Sequence, residues 1–270
     1  MKISISNLAW DVSEDKQVLS LLKEFKVDSI DIAPGKYFPT PSKAKTTDIL
    51  AVRQWWNDKG IDILGMQSLL FGTQGLNVFG NKNIQGQLLS HLAEICRIGA
   101  TLGARRLVFG SPKNRDRSGL SQDSAIDIAN EFFHRLGNVA SDEGVIICLE
   151  PNPEVYGSNF LTSSYETYEM VKLVAHPAIK MQLDTGAVIL NNEDFLSVVK
   201  KTKDVIGHVH ISEANLATVG DTFKDHELLA AGLKSFLPDH PITIEMLAAK
   251  DENHIIAIRR ALKHVTMTYR

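Results

Sequence analysis

Residues 144–153, GVIICLEPNP, decide how the chain is to be read. A glycine of the kind that stops a helix is followed by an apolar run, Val145 to Leu149; the run ends on a carboxylate, Glu150, and is then broken by two prolines. This is the pattern of a buried strand that delivers an acid to its C-terminal end. The pattern recurs in both directions from here. Short apolar runs occupy residues 3–9, 29–33, 61–67, 106–109, 145–150, 179–184, 207–211 and 242–246, at a spacing of roughly thirty residues. Amphipathic segments lie between them. Ser13 precedes Glu14 and Asp15, Ser163 stands three before Glu166, and Asn191-Asn192 lead into Glu193 and Asp194, all as helix starts do. Gly103, Gly144 and His176-Pro177 are the matching stops. Strict alternation of strand and helix implies parallel strands covered by helices, and eight such units close into a barrel. The expectation is α/β: one (β/α)8 TIM barrel domain spanning residues 1–270. An open doubly wound sheet would need a glycine-rich turn after an early strand, and LAWDVSED, residues 8–15, contains no glycine.

Composition narrows the function. Twenty-nine Lys plus Arg against 32 Asp plus Glu give a formal net charge of −3, so no global basic field exists to attract a phosphate backbone. The expectation is no nucleic acid partner. Only two cysteines occur, Cys96 in a helical pattern and Cys148 in an apolar strand, and both read as small buried hydrophobes of a reducing compartment. The opening MKISISNLAW alternates like a strand and meets Asp11 and Glu14 before a signal peptide could form. No apolar run approaches the ~18 residues of a membrane helix. A cytoplasmic protein without a membrane partner is expected.

In a parallel barrel the active site lies at the C-terminal ends of the strands, so the residue on which each strand ends carries the information. The fifth ends on Glu150, and the sixth, KMQLDTGA, on Asp184. The seventh, GHVHISE, presents His208 and His210, and the eighth, PITIEML, presents Glu245. Each residue alone has an ordinary explanation, Glu150 as a helix-start neighbour and Asp184 as a turn former. Together they place three carboxylates and an imidazole at one rim. Crowded acids repel one another, and in low dielectric each would sooner be protonated. A divalent ion removes the conflict. Oxygen-rich ligation with one imidazole suits Mn²⁺ first, then Mg²⁺ or Co²⁺, with Zn²⁺ also compatible. His210, nearer the mouth, is the better ligand of the two histidines. His208 shares its face one layer deeper, as a hydrogen-bonded core histidine or a group near substrate. Gln182 and Thr243 stand in the same relation to Asp184 and Glu245 and read as their orienters.

Further contacts to substrate are sought in the loops. Trp10 and Phe71 are either core or an apolar wall against a sugar ring. Gln67 ends the third strand, where Gly110-Ser111 follow the fourth. Asn152 and Asn159 either bond substrate hydroxyls or form turns. His226 heads the helix after the seventh strand, as a surface residue or one reaching the mouth. Lys113, Arg115 and Arg117 either bind an anionic substituent or form a solvated loop, their charge diluted by Asp116.

LEPNP, LDTGA, HVHISE and ITIEM, with the earlier LGARRLVFGSP, resemble the xylose-isomerase-like barrel superfamily of sugar isomerases, ketose 3-epimerases, inosose dehydratases and apurinic endonuclease relatives. The resemblance runs in order along nearly the whole chain. It implies that Glu150, Asp184, His210 and Glu245 ligate one divalent metal ion. It also implies that Glu150 and Glu245 are an acid/base pair that removes and returns a proton beside a carbonyl through an enediolate. A carbohydrate or polyol substrate and a homodimer or homotetramer follow from the same resemblance. Two departures stand out: the epimerase pattern has a histidine where this chain has Ala187 and an arginine where it has Leu216. The trinuclear endonuclease site needs further histidines that the third and fourth strands lack, although Asp225-His226 in FKDHELL is similar to one nuclease motif. The resemblance therefore implies a metal-dependent sugar isomerase or epimerase. A dehydratase of a keto cyclitol or keto acid begins with the same proton abstraction and is the alternative; a barrel retained as a binding scaffold is disfavoured because all four ligand positions are filled.

Overall fold

The computed structural model describes residues 1–270. Eight strands pair in parallel around a closed ring in chain order: β1 (Ile3–Ser6), β2 (Ser29–Ile32), β3 (Asp62–Met66), β4 (Arg106–Phe109), β5 (Ile146–Leu149), β6 (Ile179–Asp184), β7 (Ile206–Ile211) and β8 (Ile242–Ile244). β1 closes the ring on β8 through the register Ile3↔Ile242 to Ile5↔Ile244. The expected (β/α)8 barrel is the fold. Nine α-helices surround it: α1 (Asp15–Glu24), α2 (Thr46–Asn57), α3 (Lys82–Leu102), α4 (Gln122–Asp142), α5 (Ser164–Val174), α6 (Thr185–Leu190), α7 (Phe195–Thr202), α8 (His226–Phe236) and α9 (His254–Tyr269). None is long and apolar enough to cross a membrane.

Period-two alternation sorts the strand residues between two cores. Ile3, Ile5, Ile30 and Ile32 join the large apolar core with buried helix residues such as Leu92, Phe133 and Ile258. Ser4, Asp31, His208 and His210 are fully buried inside the ring and bond or approach one another. A polar barrel interior has to satisfy its own donors. Gly65 shows how tightly this is done: a Cβ there would lie 2.6 Å from Asp31 Oδ2 and 2.8 Å from the Arg106 carbonyl.

Several local expectations move. The first strand stops at Ser6 rather than residue 9, because Ser6 Oγ accepts from Leu8 N and turns the chain into a short 3-10 segment. α1 is entered through a capping box of Asp11 and Glu14, not through Ser13. α7 is capped by Asp194, whose Oδ1 accepts from Ser197 N at 2.8 Å, rather than by the two asparagines. Ser163 does cap α5. Gly103 and Gly144 are left-handed at φ +87° and +65° after their helices, a conformation glycine adopts at little cost. Cys96 and Cys148 are both buried free thiols.

Candidate metal centre and active site

Glu150 and Glu245 each follow a strand by one residue, and the ladder fixes both: Glu150 N donates to the Phe109 carbonyl at 3.1 Å, and Glu245 N to that of Ile211 at 2.9 Å. Asp184 ends β6 and caps α6, with Oδ1 accepting from Ala187 N at 2.6 Å and Oδ2 from Ser212 Oγ at 2.7 Å. His210, on β7, points its Nδ1 into the same space, 3.2 Å from Glu245 Oε2 and 3.6 Å from Glu150 Oε1. One potential ligand atom from each of the four residues lies within 4.8 Å of all the others. The structure thus brings together Glu150, Asp184, His210 and Glu245.

The electrostatics of this cluster follow from the crowding of its acids. Burial, reinforced by the charges of Glu245 and Glu150, pushes the Asp184 carboxyl up to about 7. Burial alone would lower the His210 imidazole, but the carboxylates of Glu245 and Glu150 outweigh it and hold it well above its ordinary value. Without a cation the cluster relieves its repulsion by binding protons. Three carboxylate groups and one imidazole nitrogen within 4.8 Å fit a hard or borderline divalent ion.

Neutral amides steady the two glutamates. Gln67 Nε2 donates to Glu245 Oε1 at 2.5 Å, and Asn152 Nδ2 to Glu150 Oε2 at 3.3 Å. Gly110 leaves the space that Glu150 uses: a Cβ there would lie 1.8 Å from Oε2. Beneath the cluster, His208 Nε2 donates to Asp31 Oδ2 at 2.6 Å, and Ser4 Oγ donates to Oδ1 at 3.1 Å. The same Oδ2 lies 4.0 Å from His210 Nε2, a buried nitrogen with no other partner. Burial would raise the Asp31 carboxyl, but His208 outweighs it and keeps the acid below its usual range. With the Gln182 amide nitrogen toward the His208 carbonyl, its oxygen faces His210 N and His210 Nδ1, each at 3.1 Å. Gln182 therefore orients His210 rather than Asp184. Thr243 Oγ1 lies 3.3 Å from His208 Nε2, so it serves that histidine rather than Glu245.

A cavity of about 630 Å³ opens above the cluster, lined in part by Gln67, Phe71, Asn152 and Tyr156. Four of the expected substrate contacts do not line it. Trp10 is fully buried with its indole Nε1 donating to Asp15, because the early end of β1 carries it into the core. Asn159 accepts from Arg117 N and donates to Asp116, tying two loops together. His208 is shut beneath the site by its bond to Asp31. His226 is neither at the surface nor at the mouth: it is buried between Glu213 and Tyr269, at 2.9 and 2.8 Å. Of the basic trio, Arg115 is buried, Arg117 donates to the carbonyls of Asn159 and Leu120, and Lys113 is exposed outside the cavity lining.

Two residues around the site escaped the sequence reading. Asp31, in SIDI, has the signal of an acid inside an otherwise apolar strand. Glu213 lines the cavity wall and accepts from the backbone of Thr222 and Phe223 at 2.7 and 3.0 Å, from Gly220 N and from His226 Nε2, which ties down the loop that follows β7. Burial would raise its carboxyl, but His226 and these donors lower it to about 2.

A closed parallel barrel with three carboxylates and an imidazole gathered at the C-terminal mouth defines the class: a (β/α)8 protein with a cluster of metal-ligand-type side chains beside an open cavity. The chain belongs to the xylose isomerase-like TIM barrel family, whose sequence profile matches residues 19–259. An inosose dehydratase of Bacillus cereus is 33% identical over 99 residues, 36% of this chain and 30% of that protein. The match thus spans about a third of that relative's length. Among solved structures, a D-psicose 3-epimerase determined in the presence of D-fructose superposes with a TM-score of 0.82 at 15% identity, covering 100% of this chain and 99% of that one. The IolI protein with a bound zinc atom gives 0.77 at 15%, covering 100% and 98%. At these identities the structural likeness is one of fold.

Proposed function

We propose that the protein is a divalent-metal-dependent sugar isomerase or epimerase that moves a proton at a carbon next to a carbonyl through an enediolate. The observation that supports it most is the convergence of Glu150, Asp184, His210 and Glu245 within 4.8 Å at the floor of an open cavity. These four residues would hold the ion, Mn²⁺ first by donor set, with Mg²⁺, Co²⁺ or Zn²⁺ as alternatives; a zinc atom is bound in the similar IolI protein. When bound, the ion supplies Lewis-acid stabilisation of negative charge on a substrate oxygen, without which a carboxylate is too weak a base for such a carbon acid. The protein's own part is to aim the two glutamates. Glu150, held by Asn152 and given room by Gly110, accepts the proton; Glu245, held by Gln67, returns one. The substrate class is a carbohydrate or keto polyol, as for the similar D-psicose 3-epimerase. The two buried free thiols suit a reducing compartment, and we place the enzyme in the cytoplasm as a homodimer or homotetramer.

The match to an inosose dehydratase favours a second reading, a lyase that uses the same proton abstraction and then loses a hydroxyl. Incubation with Mn²⁺ and a panel of keto sugars and inososes in D₂O separates the two. Deuterium incorporation without an ultraviolet-absorbing product supports isomerisation, and an enone supports dehydration. No exchange with any member of the panel overturns both.

A further inference from the structure

The cavity over the cluster has an unusual division of chemistry. No lysine, arginine or histidine lines it; its ionisable side chains are the carboxylates Glu150, Asp184, Glu213 and Glu245 and the phenol of Tyr156. Of the basic groups of the surrounding loops, Arg117 bonds two carbonyls and Lys36 Nζ the carbonyls of Asn7 and Trp10, while Arg115, fully buried with no partner for its guanidinium nitrogens, and Lys113, exposed, both lie outside the lining. Recognition of phosphate or carboxylate relies on such cations, so an anionic substituent would meet only like charge away from the ion. Ala187 and Leu216, where the epimerase pattern carries polar grips, both face the cavity as apolar side chains.

Apolar and aromatic side chains contribute to the cavity lining. Leu69, Leu70, Phe71, Tyr156, Leu216 and Leu247 are among them, and three of these remain open to solvent: Phe71 at 85%, Leu247 at 45% and Tyr156 at 41% exposure. Single exposed apolar residues are ordinary, but several gathered around the entrance to one site mark a binding surface. A volume of about 630 Å³ lies in the range, roughly 300–1,000 Å³, that encloses drug-sized ligands and exceeds what a free hexose fills.

Resting on the reading of the floor given above, we propose that the substrate is an uncharged glycoside: a keto-sugar ring seated on the carboxylate cluster and joined to an apolar aglycone that packs against Phe71, Leu216 and Leu247. The ring supplies hydroxyls to the polar floor. The aglycone removes the exposed wall from water, a gain of up to about fourfold in affinity for each methylene fully buried.

Calorimetric binding to the full chain with Mn²⁺ tests this without turnover, using glucose, methyl, hexyl and phenyl glucosides and glucose 6-phosphate as unreactive probes. Hexyl and phenyl glucosides are expected to bind at least about tenfold more tightly than the methyl glucoside, and the phosphate no more tightly than glucose. Phe71→Ser/Leu247→Ser, changed at two exposed positions, should reduce the gain to under about threefold, with folding checked by circular dichroism. Equal affinity for methyl and hexyl glucosides, tightest binding of the phosphate, or no binding of any probe overturns the proposal. Failure of deuterium exchange with the hydrophobic gain intact would instead remove the glutamate chemistry and leave this wall assignment standing.

Discussion

Gly110→Ala is a change of one methyl group that separates stability from function. Gly110 does not adopt a positive φ, so alanine is compatible with its backbone. The added Cβ would lie 1.8 Å from Glu150 Oε2 and 2.9 Å from Cδ, whereas ordinary contact begins at 3.4 Å. The carboxylate oxygen must retreat by about 3.4 − 1.8 = 1.6 Å, and it can, because it terminates a flexible side chain. Loss of glycine entropy in the unfolded chain stabilises by ~0.4–1 kcal/mol. An off-rotamer glutamate costs about 0.5–1.5 kcal/mol. These offset each other, so the melting temperature should change by no more than about 4 °C. Function should not survive so well. Misplacement of a reacting group by about 1 Å costs on the order of 100-fold, and the whole of a general base is worth about 10²–10⁴. Solvent-deuterium exchange into the best substrate of the panel should therefore fall by at least about 100-fold at an unchanged fold. Exchange within threefold of the wild type would refute the claim that Glu150 works from the position seen here.

Asp31→Asn removes the negative charge, and one of the two acceptor oxygens, of the group that His208 bonds and that faces His210 Nε2; Mn²⁺ affinity measured by chelator competition should drop about 10- to 100-fold, and an unchanged affinity would show that the buried acid does not orient the imidazole. Glu213, depressed to about 2 from 4.5 in the folded state, adds stability that is fully present above its unfolded value and lost as pH falls through 4.5 towards 2. The contribution is on the order of 3 kcal/mol, so urea melts of Glu213→Gln should show a gap to wild type at pH 7 that shrinks by pH 3. A gap that stays constant with pH would assign the loss to packing rather than charge. Glu150→Gln and Glu245→Gln should each lower exchange by several orders of magnitude while circular dichroism stays unchanged; near-full activity in either would unseat the two-base assignment.

The barrel was legible because each strand is a short apolar run with its own punctuation, and because the rim residues stand where those runs stop. Glu150, Asp184, His210 and Glu245 needed only a list of strand ends. Trp10 was misplaced by a strand boundary: three residues too many on β1 turned a core indole into a rim residue. His226 was invisible for another reason. Its partners Glu213 and Tyr269 lie 13 and 43 residues away, and no local period reports a bond of that range. Asp31 was missed because a polar residue in a strand suggests a solvent-facing side, whereas the inside of this barrel is itself polar. Arg115, read as an anion-binding or solvated residue, shows the same limit, since burial is set by the fold and not by the side chain's charge.

Titration calorimetry with Mn²⁺ reaches the core of the account in one experiment, on the wild type and on Glu245→Gln in buffers of different ionisation heat. Wild type should bind one ion per chain and, in mildly acidic buffer, release protons as it does so, because burial and the neighbouring glutamates hold the Asp184 carboxyl above its ordinary range and it must give up its proton to become a ligand. The variant should bind far more weakly. A wild-type chain that takes up no ion, or one whose affinity and proton release are untouched by Glu245→Gln, would contradict the assignment of the barrel mouth as a metal-dependent catalytic site.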